Sequence, residues 1–448
     1  MRWIKAITFH PSRTTIFKQQ ACLARKGLTL TQDELPAQRY RWGINIFLVF
    51  IGAATLLNGI LSEHFNASWS ISEWLINYEG GFVRRGLSGE AGYLLGHLFG
   101  ISPVFCVVFF YLSLYGVLLL AVRQLVLQSS LSFWVLAVML SPATFSFQVL
   151  DMWAGFRKEV IYIAALSLLL ALLQRSRLSA AGATVYIAAA LSVAILCHEP
   201  LICFAPYFFA ALVLSGFTPV QAARQCAIPF ALGVGVAFLC ARHPGNMNIA
   251  TQICSSVGYK LLPEGTQVCA DGAITHLSYT SAMAAAETRH AIQQYGYYRL
   301  YPCRFVLVFI PAILGSVALY RRGFRRNVKI LWLTAAASFV ASLLLFVFAM
   351  DWGRWIYIHA ISISLLLLFM DGRDDGSTVV TPVSRSVRPW RRRAAVFALA
   401  VYATFWTLPG YNLKTPRFGY VGLVRQEITI LYRERATLHW HIASAVLH

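Results

Sequence analysis

Residues 339–350, FVASLLLFVFAM, form an apolar run that contains no charged side chain. Apolar and polar residues do not alternate along it, as they do in the roughly ten-residue strands of a membrane β-barrel. Similar runs recur along the chain, and many approach the roughly 20 residues that span a bilayer as a helix. The sequence therefore predicts an all-α fold, a polytopic transmembrane helical bundle.

The composition supports the same class. Hydrophobic residues make up 58% of the chain and charged residues 12%, and the mean hydropathy is +0.61, whereas a soluble domain has roughly 25% charged residues. The formal net charge of +20 would suggest nucleic acid in a soluble protein, but in a membrane protein Lys and Arg collect in cytoplasmic loops. We therefore expect a lipid bilayer as surroundings and no nucleic-acid partner.

The apolar runs predict about eleven spans. In the stretch 181–216 only His198-Glu199-Pro200 interrupts the apolar residues, which is read as a tight hairpin because Pro disfavours helix at the residue before it. A single kinked helix is the alternative. The predicted spans are 43–61, 103–122, 132–149, 159–174, 181–197, 201–216, 225–241, 304–320, 330–349, 355–370 and 394–408.

The distribution of basic residues predicts the orientation. Eight Lys or Arg precede position 43 and five lie in RRGFRRNVK, 321–329, so these segments are expected inside. The domain prediction is a cytoplasmic segment 1–42 without a cleavable signal peptide, a transmembrane domain 43–408, and a periplasmic C-terminal tail 409–448. The two long outer loops are then 62–102 and 243–303. Cys254 and Cys269 in the second loop form either a disulfide or two free thiols.

Four short charged segments fall at one predicted boundary of the membrane. They are NYEGGFVRRGLSGE (77–90), LDMWAGFRKEV (150–160), CHEP (197–200) and MDWGRW (350–355). Charged groups at membrane depth usually pair with each other or line a cavity. Each cluster alone has a structural explanation, such as an ion pair between Asp351 and Arg354 or arginines that contact lipid phosphates. Because all four share one side, we expect a common polar cavity.

The residue types in these segments suit phosphate and sugar chemistry. Adjacent guanidinium groups bind phosphate through charge-assisted hydrogen bonds, and a carboxylate can accept a proton from a sugar hydroxyl. Glu79 is the predicted base, with Asp151 or Glu199 as substitutes. Clustered carboxylates are compatible with a divalent metal, but no spacing is specific enough to predict a metal ligand or another cofactor. The predicted binding residues are Arg84, Arg85, Arg157, Lys158, His198, Asp351 and Arg354, with Tyr78, Trp153 and Trp352 as sugar-stacking candidates.

The motifs YEGGFVRRGL (78–87), GFRKE (155–159), HE (198–199) and DWGRW (351–355) resemble a family of uncharacterised bacterial membrane proteins. Genes of that family tend to lie among those for surface polysaccharide, which implies a multi-pass protein of the bacterial inner membrane. The chain is more loosely similar to C-superfamily membrane glycosyltransferases and O-antigen polymerases. That similarity implies an outer-face site for polyprenyl-linked sugars and an acidic residue in the first outer loop, at Glu79 or, less well, Glu73. The loop lacks the acidic pair of those enzymes, and 243–303 carries few arginines.

Two functional hypotheses follow. The first is an integral-membrane glycosyltransferase or polysaccharide polymerase that uses polyprenyl-phosphate-linked sugars at the periplasmic face. The alternative is a transporter or translocase of a lipid-linked sugar or other anionic substrate, which predicts charged or helix-breaking positions at mid-span. The clustering at one boundary favours the enzyme, whose sugar, linkage and acceptor the sequence leaves open.

Overall fold

The computed structural model describes residues 34–64, 68–130, 132–151, 155–257, 272–373, 389–410 and 419–424. The chain is 81% helical, and the described residues include no strand, so the predicted all-α membrane bundle is confirmed. Two units are separated by their internal contacts, residues 1–47 and 48–448. Within the first, residues 34–47 form the start of helix α1. The second contains all the other described helices and the site discussed below.

The helices, in chain order and with short connections between most of them, are as follows. They are α1 (Glu34–His64), α2 (Ser68–Leu75), α3 (Leu87–Phe99), α4 (Pro103–Gln128), α5 (Phe133–Leu140), α6 (Phe147–Leu150), α7 (Glu159–Gln174), α8 (Ala180–Cys197), α9 (Pro206–Leu214), α10 (Pro219–Arg242), α11 (Met247–Val257), α12 (Ser281–Tyr295), α13 (Tyr297–Arg321), α14 (Arg325–Ser342), α15 (Leu345–Phe348), α16 (Trp352–Asp371) and α17 (Pro389–Thr404), with 3₁₀ turns at Glu199–Phe204 and Thr275–Ser278.

Seven stretches of the described helices are long and apolar enough to cross a membrane. They are Tyr40–Ile60, Pro103–Gln128, Ala180–Cys197, Pro219–Arg242, Tyr297–Arg321, Arg325–Phe348 and Trp352–Asp371. Shorter apolar helices cover the predicted spans at 159–174, 201–216 and 394–408. Large apolar side chains such as Phe109 and Leu120 are more than half exposed on the spans, as expected where lipid rather than protein covers them. The orientation of the termini stays a prediction.

The predicted continuous span at 132–149 needs correction. Helix α5 ends at Leu140, an irregular segment follows, and the short α6 begins at Phe147. Pro142 disfavours helical backbone at Ser141, which ends the helix there. Irregular backbone at membrane depth is tolerated where protein surrounds it, and every residue from 141 to 150 except Pro142 and its neighbour Leu140 lies fully buried or at the edge of burial. The side chain of Thr144 donates to the carbonyl of Val138 at 2.6 Å.

The interruption predicted near Glu199-Pro200 is present. Helix α8 ends at Cys197, His198 has extended backbone with φ −160° and ψ 98°, and a 3₁₀ turn begins at Glu199. Pro200 removes an amide donor and disfavours helix at Glu199. The break therefore directs the His198 and Glu199 side chains away from a regular helix surface.

Helix α16 lies at the centre of the second unit. Every residue from Gly353 to Asp371 is buried, which suits a helix that is apolar on all sides. Its mid-helix His359 is hydrogen-bonded at both ring nitrogens, to the hydroxyl of Tyr207 at 2.8 Å and to that of Ser342 at 3.0 Å. At its end, the Asp371 carboxylate accepts hydrogen bonds from the amide and hydroxyl of Ser130 at 2.6 and 2.7 Å. The polar groups of this helix are thus satisfied by the protein.

Candidate functional site

Two strained backbone positions shape the loops that carry the charged motifs. Arg85 and Phe156 have positive φ angles of 68° and 57°, a region that costs free energy for residues other than glycine. The carbonyl of Arg85 accepts a hydrogen bond from Nζ of Lys158 at 2.7 Å. The carbonyl of Phe156 accepts one from Nε1 of Trp74, also at 2.7 Å. A buried side-chain donor from another element therefore holds each strained residue in place.

The position of the first loop also depends on Gly89, in the first turn of α3. A Cβ at this residue would lie 2.0 Å from the carbonyl oxygen of Ile76. We expect Gly89→Ala to lower the free energy of unfolding by about 1–3 kcal/mol, the usual cost of overpacking. Gly116→Ala in α4 is the matched control, because no atom lies within 4 Å of its Cβ. Thermal unfolding in detergent compares the two, and equal midpoints would contradict the expected clash.

Glu73 is the centre of the charge network. Its side chain is 1% exposed, and Nε of Arg157 lies 2.9 Å from its Oε2. Nη1 of Arg85 and Nδ1 of His198 lie 4.0 and 3.5 Å from its Oε1. Residues from α2, from the first loop, from the segment before α7 and from the end of α8 thus meet at one carboxylate.

A second buried carboxylate, Glu159, lies on the other side of the imidazole. It forms an ion pair with Nη2 of Arg354, and Nε2 of His198 lies 3.7 Å from its Oε1. Nη1 of Arg354 donates to Oδ2 of Asp351 at 2.6 Å. Glu159 and Arg354 begin α7 and α16, so this pair joins the same ends of two packed helices.

The third carboxylate, Glu199, holds the two adjacent arginines of the first loop. Arg85 donates from Nε and Nη2 to the two oxygens of Glu199, both at 2.8 Å, which is the bidentate geometry that guanidinium groups favour. Nη1 of Arg84 lies 3.4 Å from the same carboxylate. Both arginines remain about one quarter exposed.

The network carries more positive than negative groups. Its carboxylates are Glu73, Glu159, Glu199 and Asp351, and its cations are Arg84, Arg85, Arg157, Lys158 and Arg354. With neutral His198, five cations therefore face four carboxylates. This excess favours the binding of an anion.

Burial and neighbouring charge determine which of these groups hold protons. Burial alone would raise the pKa of Glu73, but the nearby guanidinium groups, Arg157 above all, more than offset it and hold the pKa well below its usual range. Burial lowers the pKa of Lys158 to about 8. Burial also lowers the pKa of His198 well below its usual value, and Arg85 lowers it further. His198 is therefore neutral at pH 7.

The neutral state of His198 predicts a pH dependence of stability. The unfolded chain binds a proton at this residue below about pH 6.5, whereas the folded protein does not. Stability from this group is thus complete above pH 6.5 and falls as the pH is lowered. Between pH 7.5 and 5.5 we expect the wild type to lose about 1.4 kcal/mol more than His198→Gln. Unfolding free energies in detergent at the two pH values test this, and parallel profiles would contradict it.

A cavity of about 300 Å³ opens beside the network. Arg157 and Asp351 lie at its inner side, with Nη2 of the arginine 3.6 Å from Oδ2 of the aspartate. The wall residue Trp69 stacks on His276 with ring centroids 4.3 Å apart, and His276 lies 3.7 Å from the carboxylate of Glu287. The lining residues are Trp69, Arg157, Glu287, His290, Ala291, Gln294, Tyr295, Met350 and Asp351.

The three carboxylates predicted as bases do not line this cavity. Glu79 is exposed, and its backbone amide donates to Oδ1 of Asn77 at 3.1 Å. Oδ2 of Asp151 accepts the amide of Gly410 at 2.7 Å, so this carboxylate anchors the segment after α17. Glu199 is occupied by Arg84 and Arg85.

The predicted binding residues are brought together, but most lie behind the cavity. Arg85, Lys158, His198 and Arg354 join the buried network, and only Arg157 and Asp351 also reach the cavity wall. Among the aromatic candidates, Tyr78 stacks on Phe82 at 5.3 Å and Trp352 packs against Tyr297 at 5.2 Å. Trp153 lies outside the described residues, as does Cys269; Cys254 is disulfide-bonded.

Sequence reasoning gave too little weight to Glu73 and missed the wall from α12. The signal at Glu73 was a single carboxylate in SWSISEWLI, 68–76, among Ile71, Trp74 and Leu75, where a buried helix face leaves an acid in need of partners. The residues of α12 carry no comparable signal. In the described part of the chain, no group of three or more His, Cys, Asp or Glu could hold a metal ion.

Comparison with known proteins agrees with this membrane architecture. The family model described as uncharacterised membrane protein Rv1490 matches residues 42–312. The chain belongs to this family. The Rv1490 match includes Glu73, Arg85, Arg157 and His198, whereas Asp351 lies beyond it. Neither a curated protein nor a solved structure matches the chain.

Proposed function

We propose that this protein of the Rv1490 family transfers a sugar from a polyprenyl phosphate or diphosphate carrier to an acceptor hydroxyl. The reaction takes place at the outer face of the bacterial inner membrane. The observation that carries the proposal is a guanidinium beside a carboxylate, Arg157 and Asp351, on the wall of a cavity at one end of the apolar helices. Sugar transfer from a lipid phosphate needs both groups: a cation for the leaving phosphate and an acceptor for the proton.

Arg157 is the proposed phosphate-binding residue. Its Nε faces Glu73 at 2.9 Å and its Nη2 faces Asp351 at 3.6 Å, so a fixed guanidinium lies at the cavity wall. The surplus of one cation in the network favours an anion there. Arg85 and Arg354 keep the neighbouring carboxylates paired, which leaves Arg157 to stabilise charge that develops on the leaving phosphate.

Asp351 is the proposed base. The acceptor oxygen attacks the anomeric carbon of the sugar and forms the new glycosidic bond. The bond between that carbon and the phosphate oxygen breaks, and its electron pair leaves with the phosphate. Asp351 accepts the proton of the acceptor hydroxyl. Its side chain is 22% exposed, so a substrate can reach it, unlike Glu73 at 1%.

The remaining wall suits the recognition of sugars. Trp69 and Tyr295 offer aromatic faces, and Glu287, His290 and Gln294 offer groups that donate or accept hydrogen bonds. Ligand pockets commonly combine aromatic surface with a few polar groups that fix orientation. We assign the hydroxyl contacts of the sugar or acceptor to these residues of α12.

A transporter of the same substrate has less support. Alternating access places binding groups near mid-span, but the paired charges lie at helix ends, with Glu159 and Arg354 in the first turns of α7 and α16. The polar mid-helix residue His359 already has a partner at each ring nitrogen.

The test is a deletion strain whose lipid extract and surface glycan are analysed together. We expect the polyprenyl-linked sugar to accumulate and the glycan to lose a sugar or change in length. Wild-type protein should restore both, and an Asp351→Asn protein of equal abundance should restore neither. Unchanged lipids and glycan in the deletion strain would contradict the proposal.

A further inference from the structure

A second cavity lies at the opposite end of α16 from the charge network. Its volume is about 330 Å³, and it lies where α9 and α16 end and α10 and α14 begin. A helix of 20 residues is about 30 Å long, close to the hydrocarbon thickness of a bilayer. The two cavities therefore lie near opposite membrane boundaries. The lining residues are Val213, Leu214, Gly216, Phe217, Thr218, Phe324, Arg326, Asn327, Met370 and Arg373.

The polar side of this second cavity is cationic. Arg326 and Arg373 line it, and none of the lining residues is acidic. Within the described ranges, neither guanidinium forms an ion pair; Arg373 instead lies over the ring of Phe369 at 5.5 Å. The nearby carboxylate of Asp371 is already held by Arg322 and Ser130. Two guanidinium groups are thus left to bind an anion by charge-assisted hydrogen bonds.

The other side of the second cavity is apolar. Val213, Leu214, Phe217, Phe324 and Met370 supply a surface that suits hydrocarbon rather than a free ion. A cavity that is cationic on one side, apolar on the other and located at a membrane boundary fits an amphiphile with a negative headgroup. The start of α14 adds to the positive potential, because no side chain caps it at Phe324.

We propose that this second cavity binds an anionic membrane lipid through its headgroup phosphate, with Arg326 and Arg373 as ligands of the phosphate. The apolar wall contacts the glycerol and the first methylenes of the acyl chains. This site is separate from the proposed transferase site and does not depend on its chemistry.

The test uses the full-length protein in detergent micelles, with bound lipids counted by native mass spectrometry. Phosphatidylglycerol is titrated against phosphatidylcholine of the same acyl chains. We expect the wild type to prefer phosphatidylglycerol and Arg326→Ala/Arg373→Ala to bind it roughly tenfold or more weakly, as for loss of charge-assisted hydrogen bonds. Arg326→Ala alone removes an exposed side chain and should show a smaller loss in a folded protein.

Arg325→Ala is the matched control. Its guanidinium lies over Tyr320 at 5.3 Å and does not line the cavity, so phosphatidylglycerol binding should be unchanged. An equal loss in this control, or an unaffected double variant, would overturn the site. Inorganic phosphate is titrated in parallel: arginine-dependent binding of phosphate without a preference for phosphatidylglycerol would overturn the lipid as ligand.

Discussion

Arg354→Ala is expected to abolish stable folding of the second unit. The ion pair of Arg354 with Glu159 is 2–3% exposed, and the same guanidinium donates to Asp351 at 2.6 Å. Removal of one partner of a buried pair leaves an uncompensated charge and costs about 3–5 kcal/mol. That is a large share of a typical stability of about 5–15 kcal/mol. The measurement is the unfolding midpoint in detergent and the yield of monodisperse protein.

Two variants distinguish the buried charge from a general effect of arginine removal. Arg84→Ala removes a side chain that is 26% exposed and should cost no more than about 1 kcal/mol. Arg354→Met combined with Glu159→Leu removes both charges and should recover most of the stability. If Arg354→Ala unfolds at the temperature of the wild type, the pair with Glu159 does not stabilise the fold and Arg354 becomes available for substrate.

Asp351→Asn is expected to lower the rate of sugar transfer by roughly 10²–10⁴-fold, the usual contribution of a general base. The amide keeps an oxygen that accepts the hydrogen bond from Arg354, so the network and the fold should persist. Arg157 is unchanged, so binding of the polyprenyl phosphate carrier should also persist. Single-turnover rates and carrier binding, measured on the same preparation, separate the two steps.

Glu79→Gln is the matched carboxylate-to-amide control. Glu79 is exposed and outside the cavity, so this variant should transfer sugar at the wild-type rate. The reverse result, an active Asp351→Asn and an inactive Glu79→Gln, would reject Asp351 as the base and return the role to the residue predicted from sequence. Activity in both variants would remove the carboxylate base from the proposed mechanism.

The pairing of the charged motifs explains why sequence and structure differ on the base. Glu79, beside Gly80-Gly81 and the two arginines, had the stronger sequence signal, whereas Glu73 lies in an apolar stretch. In the structure the helix α2 buries Glu73, and the following turn leaves Glu79 exposed. A shift of six residues along the chain thus exchanges a buried network carboxylate for an exposed one.

The sequence by itself determined the membrane class, most of the helix positions, the breaks at Pro142 and Pro200, and the set of charged segments that meet. Hydropathy and proline act within a few residues, so they can be read locally. Only the tertiary structure decided that Arg157 and Asp351 face a cavity while Glu73, Glu159 and His198 lie behind it. Burial and pairing depend on contacts between residues as distant as 73, 157, 198 and 351, and those contacts exist only after the helices have packed.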